Sequence, residues 1–289
     1  MSHNHTKTDN VQLAFFLNLS FSIVEIAGGL WTNSMAILSD ALHDLGDTFS
    51  LGLAWLLERY SAKESDHKYS YGYRRYSLLG AFVNIIILLG GSLYVLSQAI
   101  PRLLHPQAAY VPGMIAFAVI GIAVNGFAML RLRHSQKMNA RIVALHMLED
   151  MLGWIAVLII SIVLMFSDFF ILDPLLSIII TSIILINVVR NLKKTAALFL
   201  QASPDEVGVK EIESQLLSID QIESVHHTHA WSLDGEHHVL TTHIVVCKET
   251  TQDEILKIKE QVRHLALKQR FEHITIETEI SGDSCSMKP

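Results

Sequence analysis

Ser39-Asp40-Ala41-Leu42-His43-Asp44-Leu45-Gly46-Asp47 interrupts an apolar run over residues 34–57. The run has about the ~20 residues that a helix needs to cross a bilayer core. A carboxylate in the middle of such a helix costs roughly 2.5–3.5 kcal/mol even on the gentler insertion scales, so three aspartates and a histidine there require a reason. Five further apolar runs lie at 11–31, 77–100, 111–130, 142–166 and 170–190, joined by short connectors. Six in succession read as membrane crossings rather than as core helices of a soluble protein. The composition agrees. The 289 residues are 51% hydrophobic and 17% charged, with a mean hydropathy of +0.36, whereas soluble domains carry about a quarter charged residues.

The fifth run holds a second interruption, His146-Met147-Leu148-Glu149-Asp150. His43 and Asp47 stand four apart, as do His146 and Asp150, so each pair projects from one helix face. Facing each other, two imidazoles and two carboxylates make an N/O ligand set that suits tetrahedral Zn2+. Two aspartates also cancel the charge of one divalent ion, which the bilayer interior tolerates better than bare carboxylates. Asp40 with Asp44, and His146 with Glu149, offer competing registers, so spacing alone leaves the ligands open. Asp40, Asp44 and Glu149 are also candidates for an access path or an outer ring of support.

Charge is uneven along the chain. Residues 1–200 hold 12 acidic and 14 basic groups and residues 201–289 hold 16 and 8, a balance of +2 against -8. Arg59, Lys63, Lys68, Arg74 and Arg75 follow the second run, Arg131, Arg133, Lys137 and Arg141 the fourth, and Arg190, Lys193 and Lys194 the sixth, against Arg102 alone on the other side. Cationic loops stay cytoplasmic, which puts both termini inside. Pro101, Pro106 and Pro112 punctuate the third connector. The first run follows a stretch with a single Lys and is too long for a signal-peptide core, so it reads as a membrane helix. His3 and His5 sit in a terminus expected to be unordered.

The polar remainder begins near Ser203-Pro204, where Pro is expected to end the sixth helix. It reads as helix 205–217, strands 224–232 and 237–246, helix 253–270 and strand 274–280. That order is αββαβ, a small ferredoxin-like α/β domain, with Asp234-Gly235 as a hairpin turn. Eight of the 15 histidines fall here: His226, His227, His229, His237, His238, His243, His264 and His273. Strand alternation puts His226 and His243 on one side and His227 and His229 on the other.

Several functions are excluded or set aside. A net charge of -6 leaves no basic surplus for nucleic acid. Cys247 and Cys285 are too few and too late to form a disulfide framework. His-Glu-x-x-His and Walker A sequences are absent, which removes the usual metalloprotease and nucleotide sites. The alternatives to a zinc transporter are a membrane-anchored metal sensor and a transporter with cadmium, cobalt, iron or manganese as its physiological substrate. Asn18, Asn84 and Asn125 read as packing residues, and Gly28-Gly29 and Gly90-Gly91 as points of close helix approach. Glu25 is read as a proton relay or as a release point near the outer surface.

Six helices with cytoplasmic ends, His-x-x-x-Asp in the second and fifth, and an αββαβ tail together resemble the cation diffusion facilitators, the bacterial zinc, cadmium and cobalt efflux group in particular. The resemblance spans nearly the whole chain, including residues 33–43 (NSMAILSDALH) and 225–231 (VHHTHAW). It implies that His43, Asp47, His146 and Asp150 form a transport site for Zn2+ that tolerates cadmium or cobalt. It further implies a homodimer, not an enzyme, that exchanges cytoplasmic divalent cations for protons by alternating access in a bacterial inner membrane. The expected organisation is an N-terminal tail 1–10, a transmembrane transport domain 11–200 and a cytoplasmic regulatory and dimerisation domain 201–289. Within the tail, the resemblance implies a cytoplasmic zinc site at His226, His243 and Glu277 or Glu279. Lys257 and Glu277 depart from the family's tail histidines. In the loop after the second helix, Asp66, Tyr69 and Tyr73 stand where some members bind a further zinc, with His67 out of register, so no tight site is expected there. The basic run 68–75 reads instead as an anchor on lipid headgroups or the dimer mate.

Overall fold

Lipid offers no water to satisfy backbone N–H and C=O groups, so each apolar run must close its own hydrogen bonds as a helix. The computed structural model describes residues 5–61, 63–132, 138–204, 208–283, 285 and 287. His3, Arg133, Lys137 and the expected start of the tail helix at 205 lie outside them, as do the side chains of His5, Lys7, Arg59 and Arg141. The six runs are α1 (His5–Thr32), α2 (Met35–Ser61), α3 (Arg75–Leu104), α4 (Val111–Leu132), α5 (Met138–Phe166) and α6 (Leu172–Phe199). Among the described residues, α3 to α6 each hold a stretch long and apolar enough to cross a membrane. Ile23, Leu93, Phe127, Ile159 and Ile183 are exposed along the helices, as lipid-facing positions would be.

Two helix ends differ from expectation. Pro101 removes one backbone donor from α3 without ending it, because the helix runs through it to Leu104. Similarly, α6 runs on past Arg190, Lys193 and Lys194, which are good helix formers. It stops at a left-handed Gln201 (φ 60°), where the Ala202 N–H reaches the Ala197 carbonyl at 2.9 Å. That is a C-terminal cap, and it acts before Pro204 is reached.

The chain divides into two units, Met1–Arg59 with Gly80–Leu192 and Tyr60–Leu79 with Lys193–Pro289. The first unit buries Ala36 and Ile37 of α2, Met114 and Ala118 of α4, and Trp154, Val157 and Leu164 of α5 in one cluster. Glycines permit the closest approaches. A Cβ at Gly121 would lie 2.3 Å from the Trp154 indole, and one at Gly29 would lie 2.9 Å from the Leu38 backbone nitrogen. Gly90 faces nothing within 4 Å and Gly91 only Leu42 at 3.9 Å, so that pair is not a point of close approach.

The second unit contains α7 (Val209–Leu217), β1 (Ile222–Ser232), β2 (His238–Val246), α8 (Gln252–Lys268) and β3 (Phe271–Ile280). Its sheet has the order β1-β2-β3, antiparallel between β1 and β2 and parallel between β2 and β3. A parallel pair needs a crossover, and α8 supplies it. Thr251 and Glu254 close a capping box at its start. Ile212 and Leu216 of α7, Ile258 and Val262 of α8, and Leu240 and Ile244 of β2 pack into one core. Asp234 accepts the Glu236 and His237 N–H groups, each at 2.9 Å, and Gly235 takes φ 101° in the turn that joins β1 to β2.

Candidate metal centre

The start of α2 is fixed before its ligands begin. Ser34 accepts the Ile37 N–H at 3.3 Å as an N-cap and donates to Asp173 at 2.5 Å. Asp173, in the first turn of α6, also accepts the Met35 N–H at 2.6 Å and the Ala36 N–H at 3.3 Å. An anion there satisfies donors that have no partner within their own helix. Arg102 donates to the Asn33 carbonyl at 3.0 Å, which ties the α1–α2 turn to the end of α3.

From this anchored end α2 carries Asp40, His43, Asp44 and Asp47, and α5 carries His146 and Asp150. His43, His146 and Asp150 each offer a ligand atom within 4.8 Å of the others, and the two imidazole centroids are 5.8 Å apart. Asp47 lies outside that group of three. Its Oδ2 stands 2.8 Å from His146 Nε2 and 3.8 Å from His43 Nε2, while Asp150 Oδ2 is 3.8 Å from His146 Nε2. Tetrahedral Zn2+ with bonds of ~2.0–2.2 Å separates its ligand atoms by about 3.3–3.6 Å, so these spacings need only small shifts to enclose the ion. The side chains of His43, Asp47 and His146 keep 28%, 29% and 33% of their surface accessible, against 6% for Asp150. The cluster is therefore open on one side.

The neighbouring carboxylates divide. Asp40 and Asp44 are buried and Asp40 Oδ2 has no donor among the described residues, whereas Glu149 is exposed. Glu25 is 1% exposed, with Asp44 beside it. Ser39 and Thr181 share a hydrogen bond of 2.7 Å and line a small cavity with His43 and Ser92. Asn84 Oδ1 and Asn125 Nδ2 are buried with no hydrogen-bond partner among the described residues.

A second cluster sits on the tail sheet. His226 and His243 are cross-strand partners, as alternation predicts, but β1 shifts register between His226 and His229. His227 takes φ 50° there, and its ring lies 5.3 Å from that of His243. An extra residue in a bulge breaks the period of two, so His227 is not on the far side. His226 Nε2 stands 3.2 Å from Glu279 Oε2 and His243 Nδ1 2.8 Å from Glu279 Oε1. His243 beside it holds the Glu279 carboxyl below the usual carboxylate range. Glu277 pairs with His243 in register but is exposed and stays out of the cluster. The fourth member is Cys285, its Sγ 3.7 Å from His243 Nδ1. In the sequence Cys285 carries no signal beyond being, with Cys247, too few for a disulfide framework.

In the loop after α2, Asp66 accepts the Lys68 and Tyr69 N–H groups at 2.8 and 2.7 Å and the Tyr73 hydroxyl at 2.7 Å. The Tyr73 hydroxyl and these backbone donors hold the carboxyl below its usual range. Arg74 of the basic run pairs with Glu272 of β3 at 2.6 Å, an exposed anion in the same unit, rather than being left free for lipid.

Comparison with known proteins places this geometry in a context. Residues 11–200 match the cation efflux transmembrane domain, and residues 204–280 match the cytoplasmic domain of cation efflux proteins. A cadmium, cobalt and zinc/H(+)-K(+) antiporter of Bacillus velezensis is 30% identical over 97% of this chain and 92% of its own length. The zinc transporter ZitB of Escherichia coli is 31% identical over 99% and 95%. The metal cation efflux system protein CzcD of Cupriavidus metallidurans is 30% identical over 97% and 90%.

Proposed function

The chain belongs to the cation diffusion facilitators, a family of multi-pass metal cation efflux proteins and not enzymes, and from that premise we propose that it exports Zn2+ from the cytoplasm in exchange for protons. The observation that carries this reading is the meeting of His43, His146 and Asp150 within 4.8 Å, with Asp47 against His146, between α2 and α5. Cargo Zn2+ binds these four side chains; Asp40 and Asp44 line the approach. The names of the relatives, which specify zinc, cadmium and cobalt, support the choice of cargo. Residues 11–200 form the transport domain and 201–289 a cytoplasmic domain that regulates it and joins two copies as a homodimer. The chain sits in a bacterial inner membrane with both termini inside, as the distribution of Lys and Arg supports.

Proton exchange follows from the ligands. Binding needs neutral imidazoles and ionised carboxylates, so loading expels protons and protonation expels metal. A free His titrates at about pH 6.5, within the range set up across an energised membrane. Zinc uptake into proteoliposomes with an acid interior tests the reading. Wild type takes up zinc while the interior pH rises, and Asp150→Ala loses at least tenfold of the flux. Undiminished flux in the variant overturns the site. Zinc affinity that stays flat between about pH 5.5 and 7.5 overturns the competition with protons. In the tail, His226, His243 and Glu279 form a regulatory metal site.

A further inference from the structure

We infer that Cys285 is the fourth ligand of the tail site, so that the tail binds a soft divalent ion through two imidazoles, one carboxylate and one thiolate. The inference rests on the tail site just proposed and deepens it. The residue is brought there by the end of the sheet. Beyond β3, the Ser281 N–H bonds to the Val246 carbonyl at 2.9 Å and the Asp283 N–H to the Ile280 carbonyl at 2.9 Å. Gly282, third in that turn, takes φ 99°, a conformation that turns of this kind reserve for glycine. The chain reverses, and Cys285 returns to the edge of β2 and β3.

One ligand atom from each of His226, His243, Glu279 and Cys285 lies within 4.8 Å of all the others. The individual separations are 3.2 Å (His226 Nε2 to Glu279 Oε2), 2.8 Å (His243 Nδ1 to Glu279 Oε1) and 3.7 Å (Cys285 Sγ to His243 Nδ1). A tetrahedral ion with ~2.0 Å bonds to nitrogen and ~2.3 Å to sulfur sets such atoms about 3.3–3.8 Å apart. The cluster brackets that range on one chain. His243 is 8% exposed and fixed to Glu279, which gives the site a rigid side, while an open cleft lined by His226, Glu279, Gly282 and Cys285 gives metal a way in. Glu279 and a thiolate carry two negative charges, so a dication between neutral imidazoles leaves the site neutral. The metal-bound thiol is deprotonated, its proton passing to solvent. Sulfur shifts preference toward zinc and cadmium and away from manganese and magnesium, a bias that the N/O ligands of the transport site do not share.

Cobalt(II) titration of the full-length protein in nanodiscs tests this, because only a thiolate ligand gives the intense near-ultraviolet sulfur-to-cobalt band. Wild type and Cys247→Ser show that band, and Cys285→Ser and His243→Ala lose it. Cys285→Ser also binds Cd2+ at the tail at least tenfold more weakly. A wild type without the band, or a band that persists in Cys285→Ser, overturns the inference. If the band is missing but visible cobalt absorption still falls in His226→Ala, the three-residue tail site stands without the cysteine; if neither signal is present, the tail site falls as well. Asp150→Ala, which loses zinc uptake, keeps the sulfur-to-cobalt band, which separates either failure from that of the transport site.

Discussion

At the scale of single residues, Asp173 anchors the start of α2, the helix that carries His43 and Asp47. It takes two N–H groups at the start of α2 while Ser34 takes a third, so α2 begins at a fixed height relative to α6. Asp173→Asn keeps the shape but removes the charge and turns an NH2 toward donors. Hydrogen bonds to charged groups contribute about 1.5–3 kcal/mol, so unfolding of the purified protein should be easier by on the order of 2 kcal/mol, read as a lower thermal midpoint in detergent. An unchanged midpoint would show that the caps find other partners. Little of this was legible in the sequence. Asp173 reads there as an ordinary first-turn acid, and its partner Met35 is 138 positions away. Cys285 was hidden for the same reason, since only a turn closed by Gly282 returns it to His243. The charged clusters on α2 and α5 were legible because a carboxylate inside an apolar helix announces itself at any distance from its partner, although spacing left open which of their residues would be ligands.

At the scale of elements, α4 approaches α5 closely at Gly121, against Trp154, one helical turn beyond Asp150. Even Gly121→Ala adds a Cβ about where the indole lies, 2.3 Å from its nearest atom. Overpacking of this kind costs about 1–3 kcal/mol and is relieved by moving the ring or the helix. Moving α5 displaces Asp150 and His146 together. The expected result is zinc affinity lowered by about tenfold, with a shift in tryptophan emission, whereas Gly90→Ala, whose Cβ would meet nothing within 4 Å, leaves both unchanged. Equal behaviour of the two variants would remove Gly121 from the account. Hydropathy and spacing predicted all six helices and the αββαβ order, because each depends on local pattern. They could not separate Gly121 or Gly29 from Gly90, since a glycine acquires meaning from what packs against it. They also could not foresee the bulge at His227, where one added residue overrides the alternation on which the reading of the tail relied.

At the scale of the whole molecule, the charge balance is +2 in residues 1–200 and -8 in residues 201–289, so the acidic surplus lies outside the part that holds the proposed transport site. In the first part Asp40, Asp44, Asp150 and Asp173 are buried, whereas in the tail Asp220, Glu236, Glu249 and Glu260 are exposed. A field from such groups raises the local concentration of divalent cations and speeds their encounter with the protein without touching the bound state. Salt should erase it, because the Debye length falls from about 10 Å at 0.1 M to about 3 Å at 1 M. For zinc uptake with the tail facing the supply, the expected outcome is a KM that rises several-fold between low and high potassium chloride at constant kcat. The combined variant Asp220→Asn, Glu236→Gln, Glu249→Gln, Glu260→Gln, which takes the tail from -8 to -4, should begin with the higher KM and respond to salt only weakly. None of the four is a ligand, so kcat stays at the wild-type value. If kcat falls with KM unmoved, the acidic tail acts on the transport cycle through its structure, and capture of cations is not its role.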